Sequence, residues 1–271
     1  MSNITYITGL WDIKRGKMDN DNYNWNRSFD TYLNFLDELL STNLQFIVYG
    51  DSNLKPICDK YPKCKFILYT LDDIKHNLPF FDKLNNIRTN PNWYNQPNAG
   101  WLKSSPQATL EYFNPVVMSK LLLLNKSYKL NPFNSSRLYW IDAGIIRTHN
   151  KMLFNDTLDF FLNQKDKFLF MTFKYTNNTE IHGFLRSGMN KFCNVNFVDR
   201  LSRAQLFGGV MTDIDKITNN YIDILQLTLN EGYLGTEESI FTILTYKHKD
   251  LFDTVEIQQR DGINTLLSLM V

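Results

Sequence analysis

Cysteine and histidine are scarce in this sequence, and neither occurs in the spacing of a metal or redox site. Three cysteines, Cys58, Cys64 and Cys193, and four histidines are spread over 271 residues. An odd cysteine count without a CxxC or Cys/His pair argues against a disulfide framework and a zinc module. The fingerprints GxGxxG, GxxxxGK[ST] and GxSxG are absent as well, so nothing supports a P-loop enzyme or a serine hydrolase.

An excess of charge of either sign is also missing. The 29 basic and 28 acidic residues give a net charge of +1, whereas a duplex-binding module carries a basic face. The apolar run at residues 121–124 is far too short to span a bilayer. The N-terminal stretch MSNITYITGLWD lacks the basic-then-apolar layout of a secretion signal. We therefore expect no nucleic-acid partner, no transmembrane segment and a cytoplasmic location.

The sequence does contain a regular alternation of apolar runs. Short β-rich runs lie at residues 4–10, 46–49, 66–69, 137–141, 167–173 and 205–211. Segments with helical character lie at residues 29–40, 54–60, 115–124, 157–164, 214–229 and 236–246. Nearly continuous apolar strands that alternate with helices are typical of a parallel sheet covered on both faces. We predict an α/β fold, a single domain with a mostly parallel central sheet flanked by helices.

The loop after the first strand is a candidate ligand site, because ligands in such sheets bind beyond the carboxyl ends of the strands. Thr8 and Gly9 lie near the end of that strand, and Asp12 and Arg15 follow in the loop. Basic side chains there can contact phosphates, although an ordinary solvated loop explains them equally well. Residues 90–108, rich in Trp and Asn, form a candidate lid beside this site.

The segment LYWIDAG places Asp142 at the end of a hydrophobic strand, followed by the small residues Ala143 and Gly144. A carboxylate on such an edge can bind a Mg²⁺ or Mn²⁺ ion that holds a diphosphate. The small residues would let a sugar diphosphate approach the backbone. An aspartate that caps a turn after a buried strand fits the same spacing.

Two further motifs and one histidine have both a structural and a functional interpretation. The glycine pair at residues 208–209 indicates either a β-bulge or the close approach of a ligand. Glu237 and Glu238 lie where a helix begins, so they either favour the helix start or supply a general base. His248 is either a lone metal ligand or an ordinary surface or core histidine.

In chain order, the segments ITGLWDIKRG, YFNPVVMSKLLLL, LYWIDAGI, FGGVMTD and GTEESIFTIL resemble the HtrL/YibB (WlaTC) family, to which glycosyltransferase activity is ascribed. The resemblance extends from about residue 5 to about residue 250, and WIDAG and GTEESIF are its most specific parts. It implies a Rossmann-like fold of the GT-A type and a nucleotide-sugar donor, foremost a UDP-sugar. It also implies a divalent cation, Mn²⁺ or Mg²⁺, and a hydroxyl acceptor on a glycan or a protein-linked glycan.

By this resemblance, Asp142 stands where GT-A enzymes carry an Asp-x-Asp motif. The second aspartate is missing here, which leaves His248 as the candidate second metal ligand. Glu237 or Glu238 would act as base in an inverting enzyme, and the glycine pair would line the acceptor side of the sugar. The residues expected to bind the donor are Thr8, Gly9, Asp12, Arg15, Lys120, Asp142, Ala143, Gly144, Gly208 and Gly209.

The sequence thus predicts a hexosyltransferase with a nucleotide-binding part at residues 1–145 and an acceptor-side part at residues 146–271. Two other functions stay open. A nucleotidyltransferase on a similar sheet would carry clustered carboxylates at the strand ends, and a catalytically inactive binding or scaffold protein would keep only the fold. A homo-oligomer is compatible with each of these functions.

Overall fold

The computed structural model describes residues 3–18, 26–42, 44–147, 154–176 and 180–258. Within these ranges the strands are β1 (Ile4–Leu10), β2 (Phe46–Gly50), β3 (Cys64–Leu68), β4 (Arg137–Ile141), β5 (Phe168–Lys174), β6 (Arg200–Val210) and β7 (Phe252–Glu256). The helices are α1 (Phe29–Leu40), α2 (Lys55–Cys58), α3 (Leu71–Asn77), α4 (Phe81–Arg88), α5 (Pro91–Tyr94), α6 (Pro106–Thr109), α7 (Phe113–Met118), α8 (Lys120–Leu130), α9 (Asp156–Asn163), α10 (Arg186–Cys193), α11 (Ile214–Asn230) and α12 (Glu237–Lys247).

The strands form one sheet in the order β3-β2-β1-β4-β6-β5-β7. Parallel pairing joins β1 to β2 and β4, β2 to β3, and β5 to β7, whereas β6 is antiparallel to both of its neighbours. The predicted α/β fold with a mostly parallel sheet flanked by helices is therefore confirmed. None of the described helices is both long and apolar enough to cross a membrane.

Most predicted elements lie where the apolar pattern placed them, and the differences have local causes. The single helix predicted at residues 115–124 is two helices, α7 and α8, which meet at Ser119. The hydroxyl of Ser119 donates to the carbonyl of Pro115 at 2.8 Å. The short elements β7 and α10 are among those that were not predicted. Only the first residue of β7, Phe252, is buried, and α10 mixes polar and charged residues with its buried ones, so neither presents a long apolar run.

The predicted strand at residues 205–211 is the second half of a longer strand, β6, that passes through the glycine pair without a break. Gly208 and Gly209 have φ angles of 144° and 152°. A Cβ on Gly208 would lie 2.2 Å from the carbonyl oxygen of Leu138, and one on Gly209 would lie 2.7 Å from that of Lys167. The glycines therefore let β6 approach its neighbours closely. This placement corrects the prediction that they line the sugar site.

Helix α12 is fixed against the sheet by aromatic packing. The ring centroid of Phe241 lies 4.8 Å from that of Phe207 on β6 and 4.9 Å from that of Phe170 on β5. Fully burying a side chain of this kind contributes roughly 1.5–3 kcal/mol. On the other flank, the phenol of Tyr6 on β1 donates to Asp159 on α9 at 2.7 Å. The first set of contacts holds α12 against β5 and β6, and the hydrogen bond holds α9 against β1.

Candidate active site

A cavity of about 340 Å³ opens at the carboxyl ends of β1 and β4. Its wall is formed by the loop after β1, the loop after β4, the junction of α7 and α8, and the beginning of α12. The polar and aromatic side chains that line it belong to Trp11, Arg15, Arg27, Tyr32, Gln107, Phe113, Lys120, Trp140, Asp142, Arg147, His182, Gln205, Thr236, Glu237 and Glu238. This is the edge of the sheet at which the sequence predicts ligand binding.

Lys120, the first residue of α8, is buried at the inner wall of the cavity. Its Nζ lies 2.7 Å from Oδ1 of Asp142 and 2.8 Å from Oε1 of Glu237. Burial disfavours the charged ammonium, but the two carboxylates outweigh burial and raise the pKa of Lys120. For Glu237 burial prevails over the attraction of Lys120, so the pKa of this glutamate is raised. The cluster joins the end of β4 to the beginning of α12.

Asp142 follows β4 directly and is held in place from two sides. Its backbone N–H donates to the carbonyl of Gln205 at 3.0 Å, which continues the β4–β6 ladder by one residue. The indole Nε1 of Trp140 donates to Oδ1 of Asp142 at 2.8 Å. About a third of the Asp142 side chain, 33 %, is exposed. Its carboxylate therefore faces the cavity with a fixed orientation.

Glu238 lies one residue further along α12 and points to a different set of partners. Its oxygens lie 3.1 Å from the backbone N–H of Ala204, 3.3 Å from Nη1 of Arg203 and 3.2 Å from Nδ1 of His182. Burial alone would raise the pKa of Glu238, but Arg203, His182 and the Ala204 N–H together lower it. The Glu238 carboxylate therefore carries its negative charge at neutral pH.

His182 lines the cavity at the end where Glu238 lies. Its φ angle of 52° is in the left-handed region, which histidine adopts uncommonly. The following residue, Gly183, has a φ angle of 87°, and the turn is closed by the bridge between Ile181 and Phe184. Because Nδ1 of the ring faces Glu238, Nε2 is the nitrogen left for a ligand. A strained backbone at a cavity wall is typical of functional positions.

Three arginines, Arg15, Arg27 and Arg147, line the cavity at the end where Tyr32 lies; Arg15, Arg27 and Tyr32 also line a smaller neighbouring cavity, which His182 and Glu238 do not line. The guanidinium groups of Arg15 and Arg27 lie 3.5 Å and 3.3 Å from the hydroxyl of Tyr32. Burial, together with the positive charge of Arg27 and Arg147, lowers the pKa of Arg15 to about 10. Burial and Arg27 also lower the pKa of Arg147. Such a concentration of positive charge is suited to an anion with several oxygens, such as a diphosphate.

Most of the predicted site residues are brought together here. The cavity lining includes Gly9, Arg15, Lys120, Asp142, Ala143, Gly144, Glu237 and Glu238. Two of the small residues have a packing role as well. A Cβ on Gly9 would lie 2.4 Å from the indole of Trp11, and one on Gly144 would lie 2.8 Å from the ring of Tyr32. These glycines therefore admit aromatic side chains to the wall of the cavity.

Besides Gly208 and Gly209, two predicted donor-binding residues lie outside the main cavity. Thr8 is fully buried within β1, so its side chain does not reach a ligand there. Asp12 lines a smaller cavity next to the first one. Its carboxylate forms an exposed ion pair with Lys14 at 2.7 Å and accepts the N–H of Lys14 at 2.9 Å. The structure thus places Asp12 in the turn after β1, where it faces Lys14.

The structure does not bring together the two predicted metal ligands, Asp142 and His248. His248 lies at the far end of α12, roughly 15 Å from the glutamates at its beginning at 1.5 Å per residue. No group of three or more potential metal ligands occurs among the residues that the structure describes. The ammonium of Lys120 also lies between the carboxylates of Asp142 and Glu237. The side chains present do not fit a resident divalent cation.

Several lining residues were missed from the sequence because their signals are weak. Arg27 precedes the serine that caps α1, Arg147 ends a short 3₁₀ helix after β4, and His182 forms a His-Gly turn. Gln205 lies on β6 and lines the cavity, and Arg203, two residues before it, contacts the cavity residue Glu238. Each is a lone polar residue in a segment that has an ordinary structural explanation. Only the fold brings them to the same cavity.

Comparison with known proteins identifies relatives of the whole chain. A model of the family HtrL_YibB, described as "Bacterial protein of unknown function", matches residues 2–263. Protein HtrL of Escherichia coli (strain K12) is 22% identical over 267 residues, which cover 93% of this chain and 87% of that protein.

Two solved structures resemble this chain with lower sequence identity. Mouse xyloside xylosyltransferase 1 in its apo form has 13% identity and a TM-score of 0.41, covering 93% of this chain and 84% of its own. CMP:2-keto-3-deoxy-manno-octonic acid synthetase complexed with CTP has 6% identity and a TM-score of 0.44, covering 98% and 96%. Scores this low assign neither a fold nor an activity to the chain. The family match, in contrast, extends over nearly the whole sequence, and the protein belongs to the HtrL_YibB family.

Proposed function

We propose that this protein is a glycosyltransferase of the GT-A type that transfers a sugar from a nucleotide diphosphate sugar to an acceptor hydroxyl. One observation carries the proposal. A single cavity at the strand ends combines an arginine cluster at one end with a histidine–carboxylate pair at the other. The first suits the leaving diphosphate and the second suits the attacking hydroxyl. A UDP-sugar is the first donor to test, and a glycan or protein-linked glycan is the expected acceptor.

The arginine cluster would bind the donor diphosphate. Guanidinium groups form bidentate hydrogen bonds to phosphate oxygens, and their positive charge stabilises the charge that develops on the leaving group. Arg15 and Arg27 are oriented by Tyr32, and Arg147 ends the short 3₁₀ helix after β4 and lines the same cavity. The sugar would then extend from this end toward Asp142 and Glu238.

The histidine would accept the proton of the acceptor hydroxyl. In a direct displacement the acceptor oxygen forms a bond to the anomeric carbon, and the bond between that carbon and the diphosphate oxygen breaks. The hydroxyl proton passes to Nε2 of His182, while Glu238 orients the ring through Nδ1. This replaces the sequence-based role of Glu238 as the base. Glu237 would not serve as base either, because its carboxylate is buried against Lys120.

Differential scanning fluorimetry with nucleotide diphosphates and their sugars tests donor binding. Saturation at about a hundredfold excess over Kd stabilises a protein by about 2.7 kcal/mol, so the cognate donor should raise the melting temperature. Arg147→Ala should weaken that shift, whereas Arg200→Ala, at the start of β6 and outside the cavity lining, should not.

The alternatives give different results in the same screen. A shift with nucleoside triphosphates, accompanied by pyrophosphate release in the presence of a sugar phosphate, would favour a nucleotidyltransferase. A nucleotide sugar that binds but is neither transferred nor hydrolysed with any acceptor would favour an inactive scaffold. No shift with any nucleotide would contradict the proposal.

A further inference from the structure

The Lys120 ammonium occupies a site whose oxygen atoms are arranged around a positive charge. An ammonium has three N–H donors. Three oxygens surround Nζ: Oδ1 of Asp142 at 2.7 Å, Oε1 of Glu237 at 2.8 Å, and the carbonyl oxygen of Ala204 at 3.4 Å. The indole of Trp140 lies beneath it, with its centroid 6.0 Å from Nζ. The number of acceptors matches the number of donors, so the site is complete as it stands.

The same oxygens would otherwise attract a metal ion. Two carboxylates and a carbonyl are hard ligands of the kind that Mg²⁺ and Mn²⁺ prefer, and those ions bind oxygen at about 2.0–2.2 Å. An ion at that distance from Asp142 and Glu237 would overlap the position of Nζ. Only 9% of the Lys120 side chain is exposed, so displacing the ammonium would leave a buried charge without its partners.

From this arrangement we infer that Lys120 is the resident cation of the site and that the protein binds and uses its donor without a divalent metal. Lys120 neutralises Asp142 and Glu237 and keeps them in position. The diphosphate is neutralised by the separate arginine cluster at the other end of the cavity. Lys120 is therefore a positioning residue, which revises its sequence-based role as a diphosphate contact. The statement about donor binding rests on the proposed function, whereas the statement that Lys120 fills the cation site does not.

The first experiment measures Mn²⁺ binding to the whole protein by electron paramagnetic resonance, in which bound Mn²⁺ loses the sharp signal of the free ion. The wild-type protein should leave the free signal unchanged. Lys120→Ala removes the ammonium and frees the carboxylates, so this variant should take up Mn²⁺. The double variant Lys120→Ala with Asp142→Asn should lose that uptake.

Two outcomes of this experiment would overturn the inference. One is Mn²⁺ uptake by the wild-type protein that Asp142→Asn abolishes. The other is a folded Lys120→Ala variant, checked by circular dichroism, that takes up no Mn²⁺, because the two carboxylates would then not form a cation site. If Lys120→Ala does not fold, Lys120→Gln replaces it. The wild-type measurement still shows whether the native protein binds Mn²⁺ at this site.

The second experiment uses the donor. Isothermal titration of UDP and of the UDP-sugar found by fluorimetry is performed in EDTA and again with Mn²⁺. Dissociation constants that agree within about twofold are expected, whereas a weakening in EDTA of about tenfold or more, which is 1.4 kcal/mol, would overturn the inference. Failure of every nucleotide to bind in both conditions would contradict the proposed function instead, and the Mn²⁺ experiment would remain decisive for Lys120.

Discussion

Glu237 and Glu238 are neighbours in sequence, yet their side chains lie in opposite electrostatic environments. Burial raises the pKa of Glu237, whereas Arg203, His182 and a backbone N–H outweigh burial and lower the pKa of Glu238. Successive residues on a helix point about 100° apart, so one helix start presents two carboxylates to two different clusters. The GTEES motif thus carries one carboxylate for the Lys120 cluster and one for His182.

The two glutamates should respond to acid with opposite signs. The lowered pKa of Glu238 means that its contribution to stability is present above the unfolded pKa and is lost as the pH falls through the folded one. The raised pKa of Glu237 means that its contribution is present at low pH and is lost as the pH rises. Glu238→Gln should therefore cost more free energy of unfolding at about pH 7 than at about pH 3.5. Glu237→Gln should show the reverse.

Urea unfolding of both variants at the two pH values provides the measurement. Each variant serves as the control for the other, because both replace a glutamate by glutamine on the same turn. Equal pH dependence in the two variants would contradict the assignment of opposite environments.

His182 should affect turnover far more than donor affinity. His182→Asn removes the ring, while asparagine tolerates the left-handed backbone at this position. Loss of a general base typically lowers the rate by roughly 10²–10⁴-fold, so kcat should fall by that order with the donor KM nearly unchanged. The kcat of Glu238→Gln should fall less, because the ring remains but loses the carboxylate that orients it.

The matched control for this prediction is His76→Asn, an exposed position on α3 outside the cavity. Its steady-state kinetics should equal those of the wild-type protein. A His182→Asn enzyme with wild-type kcat and a raised donor KM would show that the histidine binds the donor and does not transfer a proton.

At the scale of elements, a helix or strand could be predicted from the sequence where its apolar pattern is regular. β1, α1 and β4 were predicted within the bounds observed, because each presents a continuous or periodic apolar run. β7 and α10 escaped prediction, since partial exposure breaks their patterns. Gly208 and Gly209 show a further limit. A glycine pair in a strand signals a close approach but does not say whether a ligand or a neighbouring strand approaches.

Gly208→Ala should destabilise the fold and leave donor recognition unaffected in the molecules that fold. The added Cβ would lie 2.2 Å from a backbone carbonyl oxygen, and the φ angle of 144° is unfavourable for alanine. Overpacking and backbone strain of this kind cost roughly 2–4 kcal/mol. The free energy of unfolding in urea measures the effect.

Gly100→Ala is the control for that substitution, because an added Cβ there meets no atom within 4 Å. Its free energy of unfolding should change by no more than about 0.5 kcal/mol. Similar losses in both variants would indicate that the Gly208 contact is not what limits substitution.

At the scale of the whole molecule, one sheet crosses the predicted boundary between residues 1–145 and residues 146–271. β6 lies between β4 and β5, so strands from the second part extend the sheet of the first. The cavity draws Lys120 and Asp142 from the first part and His182 and Glu238 from the second. Sequence motifs located Lys120, Asp142 and Glu238 but not His182. The contacts of Lys120 with Glu237 and of His182 with Glu238 join residues that are distant in sequence, and no local pattern encodes them.

This continuity predicts that the chain unfolds in one cooperative transition. Scanning calorimetry should give a van't Hoff enthalpy equal to the calorimetric enthalpy. Tyr6→Phe removes a hydrogen bond between β1 and α9 and should lower the single melting temperature without splitting the peak. Two transitions, of which only one moves in Tyr6→Phe, would show that the two parts fold separately. The division into two parts and a homo-oligomeric state stay predictions.

The two halves of β6 tolerate substitution to different degrees, because their side chains have different neighbours. Its later residues, Gly208 and Gly209, are fixed by neighbouring backbones, whereas Gln205 lines the cavity and Arg203 binds the carboxylate of Glu238. For directed evolution this means that a library at position 205 would explore new acceptors on an unchanged scaffold, whereas substitutions at position 203 would remove a partner of Glu238. A library at positions 208 and 209 would return mostly unfolded clones. The boundary between the variable and the invariant part of the strand falls within four residues of β6.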